Sequence, residues 1–226
     1  MKLLAIDTVT EMASIALLVN DELLVDEAFV PQQHTKVILP MIQQQMATAG
    51  LTFNQLDAIA FSRGPGSFTG LRICASITQG LAIANDLPVI PVSTLAILAQ
   101  GSYRIDQATN VVACLDARRN EVYWGLFKQE NGVMQLIGDE MVIAPEKVKT
   151  ETSGPWHGVG SGFKSYAAEL ETNRQVHLES IEPERYPLAQ DALAQAKIAW
   201  QRQQVVDASF AIPTYLRDNI ATPPQQ

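Results

Sequence analysis

The same order of sequence elements occurs twice along this chain of 226 residues. In each half a short apolar run ends in an aspartate, Asp7 in the first half and Asp116 in the second, and a polar turn then leads into another strand and a hairpin. Further along, each half has a strand that runs into a Gly-x-Gly-Ser string and a helix, and these strings begin at Gly64 and Gly158. Two matches in the same order indicate a duplicated structural unit.

The first half divides clearly into elements. Its apolar periodicity predicts three strands, of which the second and third are joined by a hairpin turn at residues 20 and 21. Helices are then predicted from Thr35 to Ala49, from Gly70 to Ala84 and from Thr94 to Gln100, with a strand between each pair. The predicted order is three strands followed by alternating helices and strands.

The second half repeats this order with less regularity. Asn131 and Gly132 form its hairpin turn, and a helix is predicted from about Lys164 to Leu170. Residues 144–155 and 173–185 have no readable pattern, and a final helix is predicted from Ala189 to Gln203.

Three antiparallel strands followed by alternating helices and strands are typical of the ribonuclease-H-like topology. Two such units face to face make the actin-like (ASKHA) architecture. The sequence therefore predicts an α/β fold of two βββαβαβα-type lobes, with residues 1–103 in the first lobe and residues 104–226 in a shorter, less regular second lobe.

Composition limits the partners that the chain can bind directly. The 16 basic and 24 acidic residues give a formal net charge of −8, and the densest basic spot is the pair Arg118 and Arg119. Tight binding to nucleic acid requires clustered Lys and Arg, so a direct grip on tRNA or DNA is not expected. No apolar run is long enough to span a membrane, and the first apolar run is too short for a signal peptide, which predicts a cytoplasmic protein. Cys74 and Cys114 lie in apolar stretches and are expected to be buried, reduced thiols.

The glycine-rich segment that begins at Gly64 is the most distinctive string in the chain. It has neither the spacing nor the lysine of a Walker A loop, and it lacks the third glycine of a dinucleotide fingerprint. A corner between a strand and a helix can still bind an anion through free amides. The candidate residues for such a site are Asp7, Gly64, Gly66 and Ser67.

A structural role for the same corner is the alternative hypothesis. In actin-like ATPases a glycine after the first-strand aspartate lets the backbone approach the phosphate, whereas this chain has Val9 there. Asp7 would then cap its own turn, and the glycines would allow the helix and the strand to pack closely.

Catalytic and metal-binding patterns are not found in the sequence. The three histidines, His34, His157 and His177, include no pair at i and i+4 and no cysteine at ligand spacing. No Gly-x-Ser-x-Gly elbow is present for a serine nucleophile. No catalytic residue, metal or cofactor is therefore predicted.

Two helices in the first half are more apolar than one packing surface requires. On the helix from Gly70 to Ala84 the polar residues Arg72, Ser76 and Gln79 fall in one narrow arc, and the helix from Thr35 to Ala49 also has a broad apolar face. Either both helices are internal or they form a docking face for another subunit. The predicted interface residues are Ile38, Met41, Ile42, Met46, Leu71, Ile73, Cys74, Ile77 and Leu81.

Several strings together resemble the bacterial TsaB (YeaZ) family. The most specific is the nine-residue run from Gly64 to Arg72, Gly-Pro-Gly-Ser-Phe-Thr-Gly-Leu-Arg. The others are Asp7-Thr8, His34-Thr35, Asp116-Ala117-Arg118, Glu121-Val122-Tyr123 and Pro213-Thr214-Tyr215-Leu216-Arg217, so the resemblance covers essentially the whole chain.

This resemblance implies an actin-like fold and heterodimerisation with TsaD, the paralogous catalytic subunit that places threonylcarbamoyl on N6 of an adenosine in tRNA. It also implies association with the ATPase TsaE, and contact with tRNA only through the complex. In TsaD-type proteins a His-x-x-x-His motif holds the metal, but here Ile38 stands four residues after His34. The resemblance thus implies a non-catalytic accessory subunit.

Two other functions remain open at this point. One is an actin-like ATPase or small-molecule kinase, and the other is a glycoprotease-like hydrolase. Whether the free chain forms a homodimer through the same helices, and whether a nucleotide binds at a shared interface, also remain open.

Overall fold

The computed structural model describes residues 1–150, 155–173 and 177–217, which form two five-stranded sheets and six α-helices. The strands of the first sheet are β1 (Lys2–Asp7), β2 (Met12–Val19), β3 (Glu22–Phe29), β4 (Ala58–Gly64) and β5 (Val89–Ser93). Those of the second are β6 (Asn110–Arg118), β7 (Glu121–Glu130), β8 (Val133–Ile143), β9 (His157–Val159) and β10 (Ser180–Glu182). The helices are α1 (His34–Thr48), α2 (Phe68–Asn85), α3 (Thr94–Asp106), α4 (Gly162–Ser165), α5 (Ala167–Thr172) and α6 (Ala189–Gln201).

The two sheets have the same topology. The first has the strand order β3-β2-β1-β4-β5, and the second has the order β8-β7-β6-β9-β10 when read in the same direction. In each sheet the central strand pairs antiparallel with the strand that follows it and parallel with the fourth strand. This is the ribonuclease-H-like order repeated, so the predicted duplicated actin-like fold is confirmed.

The central strand of the first sheet is apolar from Leu3 to Ile6, and these four residues are buried on both faces of the sheet. Alternate residues of β1 point to opposite faces. Leu4 and Ile6 join a core formed with α1 and α2, while Leu3 and Ala5 join a second core on the other face. A continuous apolar strand is what burial on two sides requires.

The second face of the first sheet is covered by α6, from the C-terminal part of the chain. Small residues of this helix, including Ala192 and Ala196, pack against Ala58 and Ala60, so the helix lies close to the sheet. Conversely, α3 belongs to the first half of the chain but packs Leu95 and other residues against the second sheet. Each sheet is therefore covered by one helix from the other half, and the lobe boundary between residues 103 and 104 stays a prediction.

Ion pairs also join the two halves. Arg104 of α3 donates from Nε and Nη2 to the two carboxylate oxygens of Asp191 in α6, at 2.6 and 3.0 Å, and Asp191 is 3% exposed. Arg63 at the end of β4 lies 3.7 Å from Glu140 of β8. The two halves are thus joined by charged side chains as well as by apolar packing.

The second half departs from its predicted elements in two places. The helix predicted from Lys164 to Leu170 is broken at Tyr166, whose backbone is not helical, into α4 and α5. The strand β10 lies inside the stretch from residue 173 to 185 that had no readable pattern. None of the described helices is both long enough and apolar enough to cross a membrane.

Candidate functional site

Asp7 lies at the carboxyl end of β1 and is fully buried. Its Oδ1 accepts a hydrogen bond from the backbone N–H of Val9 at 3.0 Å, and its Oδ2 accepts one from the hydroxyl of Ser62 on β4. Both carboxylate oxygens are therefore engaged inside the protein. The expected role of Asp7 as the cap of its own turn matches the bond to Val9.

Burial dominates the acid–base behaviour of Asp7. Desolvation raises its pKa from 3.8 to about 7, although the hydrogen bonds from Ser62 and Val9 act in the opposite direction. Cys74 of α2 lies nearby, donates from Sγ to the carbonyl of Ile6 at 3.3 Å, and has its pKa raised by burial. Both cysteines are buried and free, as expected from the sequence.

The glycines of the corner let α2 pack directly on the β1–β2 turn. A Cβ atom on Gly70 would lie 2.2 Å from the carbonyl oxygen of Thr8, and one on Gly66 would lie 2.9 Å from that of Val9. The hydroxyl of Thr8 donates to the carbonyl of Gly70 at 2.9 Å. Only glycine fits where the two backbones approach this closely.

The backbone amide of Ser67, which could have faced an anion, is already bonded. It donates to the carbonyl of Val9 at 2.9 Å, and the Ser67 hydroxyl accepts from the amide of Gly70 as the N-cap of α2. On the other side of the corner, the amide of Thr214 donates to the carbonyl of Arg63 at 2.7 Å. The Thr214 carbonyl in turn lies against Gly64, where a Cβ atom would be 2.9 Å away.

The structure thus brings together the four candidate anion-site residues, Asp7, Gly64, Gly66 and Ser67, but it packs them against protein atoms. Their contacts account for the glycine-rich string without a ligand. Anion binding at this corner stays a prediction.

The second half has an equivalent corner at Asp116. Its Oδ1 accepts from the amide of Arg118 at 2.7 Å, two residues on, as Asp7 does from Val9. A Cβ atom on Gly162, at the start of α4, would lie 2.3 Å from Sγ of Cys114 on β6. The duplication therefore extends from the topology to the turn after the first strand and the glycine at the following helix.

Residues 212–217, named here the C-terminal segment, connect the two corners. Beyond the contacts of Thr214 with the first corner, Arg217 donates from Nη2 to the carbonyl of Ala117 at 3.0 Å and to Oε2 of Glu121 at 2.7 Å. The segment therefore lies across both lobes on the side where the two aspartate turns are found.

The histidines do not form a metal site. His34 is buried at the start of α1, and Ile38, at the position four residues on, is fully buried in the core. Throughout residues 1–150, 155–173 and 177–217, no three His, Cys, Asp or Glu side chains are grouped in a way that could hold a metal ion.

An apolar groove of about 550 Å³ lies between α1 and α2. We call it the α1–α2 groove. Its lining residues are Thr35, Leu39, Phe68, Thr69, Arg72, Ile73, Ser76 and Ile77. Phe68 is 57% exposed and Leu39 is 42% exposed, which is high for side chains of this size. A concentration of exposed apolar side chains is typical of an interaction surface.

The predicted interface is wrong for six of its nine residues. Ile38, Met41, Ile42, Met46 and Cys74 are buried against the first sheet in the core of this chain, and Leu71 is buried beside Gly64 at the end of β4. The apolar stripe of α1 faces its own sheet, and it therefore cannot face a partner. Of the other three, Ile73 and Ile77 line the groove, while Leu81 packs against the core.

Six of the eight groove residues are absent from the predicted interface, and the two large apolar ones among them are Leu39 and Phe68. Leu39 lies off the apolar stripe of α1, so it has no place in the core, and Phe68 is the aromatic residue within the glycine-rich string. A large apolar residue outside the stripe was the available signal. Arg72, which was assigned to the polar arc of α2, lies in the groove with its guanidinium carbon 3.4 Å from the centroid of the Phe68 ring.

The repeated sheets and the matching aspartate corners define a protein of the actin-like class. Within that class, the family model described as "TsaD: tRNA N6-adenosine threonylcarbamoyltransferase" matches residues 28–224. The chain is 40% identical to the Escherichia coli tRNA threonylcarbamoyladenosine biosynthesis protein TsaB, over 98% of this chain and 96% of that protein. It is 39% identical to the protein of the same name from Haemophilus influenzae, over 96% and 94% of the two chains.

A solved structure agrees with these relatives. YeaZ from Pseudomonas aeruginosa superimposes with a TM-score of 0.90 at 41% identity, over 95% of this chain and 99% of that one. The chain belongs to the TsaB (YeaZ) family, as its sequence strings suggested.

Proposed function

We propose that this chain is a non-catalytic accessory subunit of the complex that makes N6-threonylcarbamoyladenosine in tRNA. Its family is named for that biosynthesis, and the match to the TsaD model relates it to the transferase itself. In this proposal the chain binds and supports a TsaD-like catalytic subunit and does not carry out the transfer.

The observation that carries the proposal is the α1–α2 groove. It is the place where Phe68 and Leu39 leave large apolar surfaces exposed to water beside partly buried Ile73 and Ile77. Burying apolar surface is the main driving force of protein association, at about 25 cal/mol per Å². Because the partner is a paralogue, the same helices of the two chains can pack against each other in a pseudo-symmetric pair.

The first corner supports the non-catalytic part of the proposal. Asp7 is buried and bonded on both oxygens, and the Ser67 amide is bonded to the carbonyl of Val9, so these groups are used within the fold. The alternative function, an actin-like ATPase or small-molecule kinase, needs this corner to admit a phosphate. Calorimetric titration of the isolated chain with MgATP separates the two functions.

Further partners follow from the same proposal. A TsaE-like ATPase would join the heterodimer, tRNA would be contacted only through the complex, and the isolated chain could pair with itself through the groove. With a net charge of −8, the chain gains no general electrostatic attraction to tRNA. In this proposal the protein acts in the cytoplasm.

A matched pair of variants tests the proposal. Leu39 of α1 and Leu136 of β8 are both 42% exposed, but only Leu39 lines the groove. We expect Leu39→Lys to weaken binding to the TsaD-like protein of the same organism by about thirtyfold or more, the scale of an interface hot spot. Leu136→Lys should bind normally, and both variants should melt close to the parent because both side chains face water.

The same proteins give the functional readout. With tRNA and an activated threonylcarbamoyl donor, we expect modified adenosine only when the chain and its TsaD-like partner are both present, and much less with Leu39→Lys. Product formed by this chain alone would contradict the accessory role. Normal heterodimer formation by Leu39→Lys would show that the groove is not the docking surface.

A further inference from the structure

Helices α1 and α2 contain no acidic residue. Their 15 and 18 residues include no Asp or Glu, although the chain as a whole has 24 acidic residues in 226. Their fixed positive charges are Lys36 and Arg72, and only Arg72 lines the groove. The groove is therefore a carboxylate-free surface with one central cation on an otherwise acidic protein.

Arg72 stacks on the ring of Phe68. Its guanidinium carbon lies 3.4 Å from the centroid of Phe68, whose ring is 6.0 Å from that of Tyr215 in the C-terminal segment. Stacking on an aromatic face is favourable for a guanidinium, which keeps its in-plane N–H donors available for a carboxylate. Within the described part of the chain, no hydrogen bond or ion pair joins Arg72 to another side chain. Its donors are therefore directed to solvent in the free protein.

Covering the groove changes the environment of this cation. A partner that packs on Leu39 and Phe68 also removes water from Arg72, and a buried charge without a partner is strongly destabilising. The partner must then supply an acceptor, and a carboxylate is the best match because it can accept two guanidinium hydrogen bonds. Partners that lack one are penalised.

A second copy of this chain is a partner that lacks the required carboxylate. The groove can offer its own Arg72 only hydroxyl acceptors, from Thr35, Thr69 and Ser76, because none of its lining residues is acidic. Arg72 lies midway along the stretch of α2 that lines the groove, between Phe68 and Ile77. In a two-fold symmetric dimer the same patch meets itself, so each copy brings a second cation and no carboxylate to the interface.

We propose that Arg72 selects the partner of the α1–α2 groove. It favours a TsaD-like subunit whose docking helices present an aspartate or glutamate, and it disfavours a second copy of this chain. The inference rests on the proposed function, because it assumes that the groove is the docking surface. The selection combines one favourable charge pair with one repulsive pair, as specific interfaces generally do.

Two substitutions test the role of Arg72. Arg72→Met keeps an unbranched side chain in the groove and removes the charge, whereas Arg72→Lys keeps the charge and weakens the stacking. Heterodimer affinity is measured by calorimetry at about 50 mM and about 300 mM salt, since charge pairs near the surface are screened by salt. Self-association of the chain alone is measured by sedimentation equilibrium.

We expect Arg72→Met to weaken the heterodimer about tenfold or more, to remove most of its salt dependence, and to strengthen the homodimer. Arg72→Lys should retain the salt dependence and lose less affinity. The selection is overturned if Arg72→Met binds the partner as tightly as the parent, if its salt dependence is unchanged, or if its homodimer weakens in parallel. The Leu39→Lys variant distinguishes a failure of this inference from a failure of the proposed function. If Leu39→Lys abolishes the heterodimer while Arg72→Met has no effect, the groove is the docking surface but Arg72 does not select the partner.

Discussion

Replacing Asp7 by asparagine should change how stability depends on pH. The folded protein keeps this carboxyl protonated until its pKa of about 7, whereas the unfolded chain ionises it above about pH 3.8. Ionisation therefore favours the unfolded chain, and the contribution of Asp7 to stability falls as pH rises between these values and is constant above about pH 7. Asparagine fits the same space, cannot ionise, and can still accept from the amide of Val9.

The size of the effect follows from the two pKa values. Each unit of difference corresponds to about 1.4 kcal/mol, so the full difference of about three units corresponds to about 4 kcal/mol above pH 7. At pH 5 the unfolded carboxyl is already largely ionised, which leaves about 2.5 kcal/mol of further change between pH 5 and pH 8. Asp7 is completely buried, so solvent does not screen this difference.

Urea unfolding at pH 5 and pH 8 measures the effect, with the fluorescence of the buried Trp124 and Trp156 as the signal. We expect Asp7→Asn to gain about 2.5 kcal/mol relative to the parent from pH 5 to pH 8. Asp207→Asn is the control. Hydrogen bonds from Ser209 lower the pKa of this exposed carboxyl, so it is ionised in both states at both pH values and its difference from the parent should stay constant. If the free energy of unfolding of Asp7→Asn differs from that of the parent by the same amount at both pH values, Asp7 is not buried as a neutral carboxyl.

Two further predictions concern packing and charge, and both are measured by urea or thermal unfolding. Gly70→Ala should destabilise the protein by about 2 kcal/mol or more because its Cβ would meet a backbone oxygen at 2.2 Å, whereas Gly80→Ala in the same helix has open space and should gain about 0.5–1 kcal/mol. Equal effects of the two changes would show that α2 is not pressed against the β1–β2 turn. Arg104→Met should cost about 3 kcal/mol because Asp191 is left buried without its partner, and adding Asp191→Asn should recover most of that loss. No recovery in the double variant would show that the loss comes from packing and not from the charge.

The topology was predictable because both copies of the repeat begin with an apolar strand that ends in aspartate. Such a strand must be covered on both faces, and the hairpins and glycine-rich strings then follow at matching places. The strand β10 was not predictable because it has three residues and its Ile181 is 47% exposed, so neither length nor burial leaves a pattern. The structural role of the glycine corner was one of two readings that the sequence allowed.

The surface proposed for docking was only partly predictable, because periodicity shows that a helix has an apolar stripe but not what covers it. Ile38 and Ile42 looked available for a partner, yet the first sheet covers them. The groove instead uses Leu39, one residue away from the stripe. The placement of α6 was equally hidden, since its alanines fit any close helix contact and the sheet they cover precedes them by about a hundred residues.

The position of α6 also bears on how the chain is made. Translation completes the first sheet at Ser93, but the helix that covers Leu3 and Ala5 begins only at Ala189. At about 5–20 residues per second, a ribosome needs roughly 5–20 s to supply it. During that interval one apolar face of the nearly finished sheet lacks the helix that covers it, so the packing of the first hundred residues is completed only after residues 189–201 have been made.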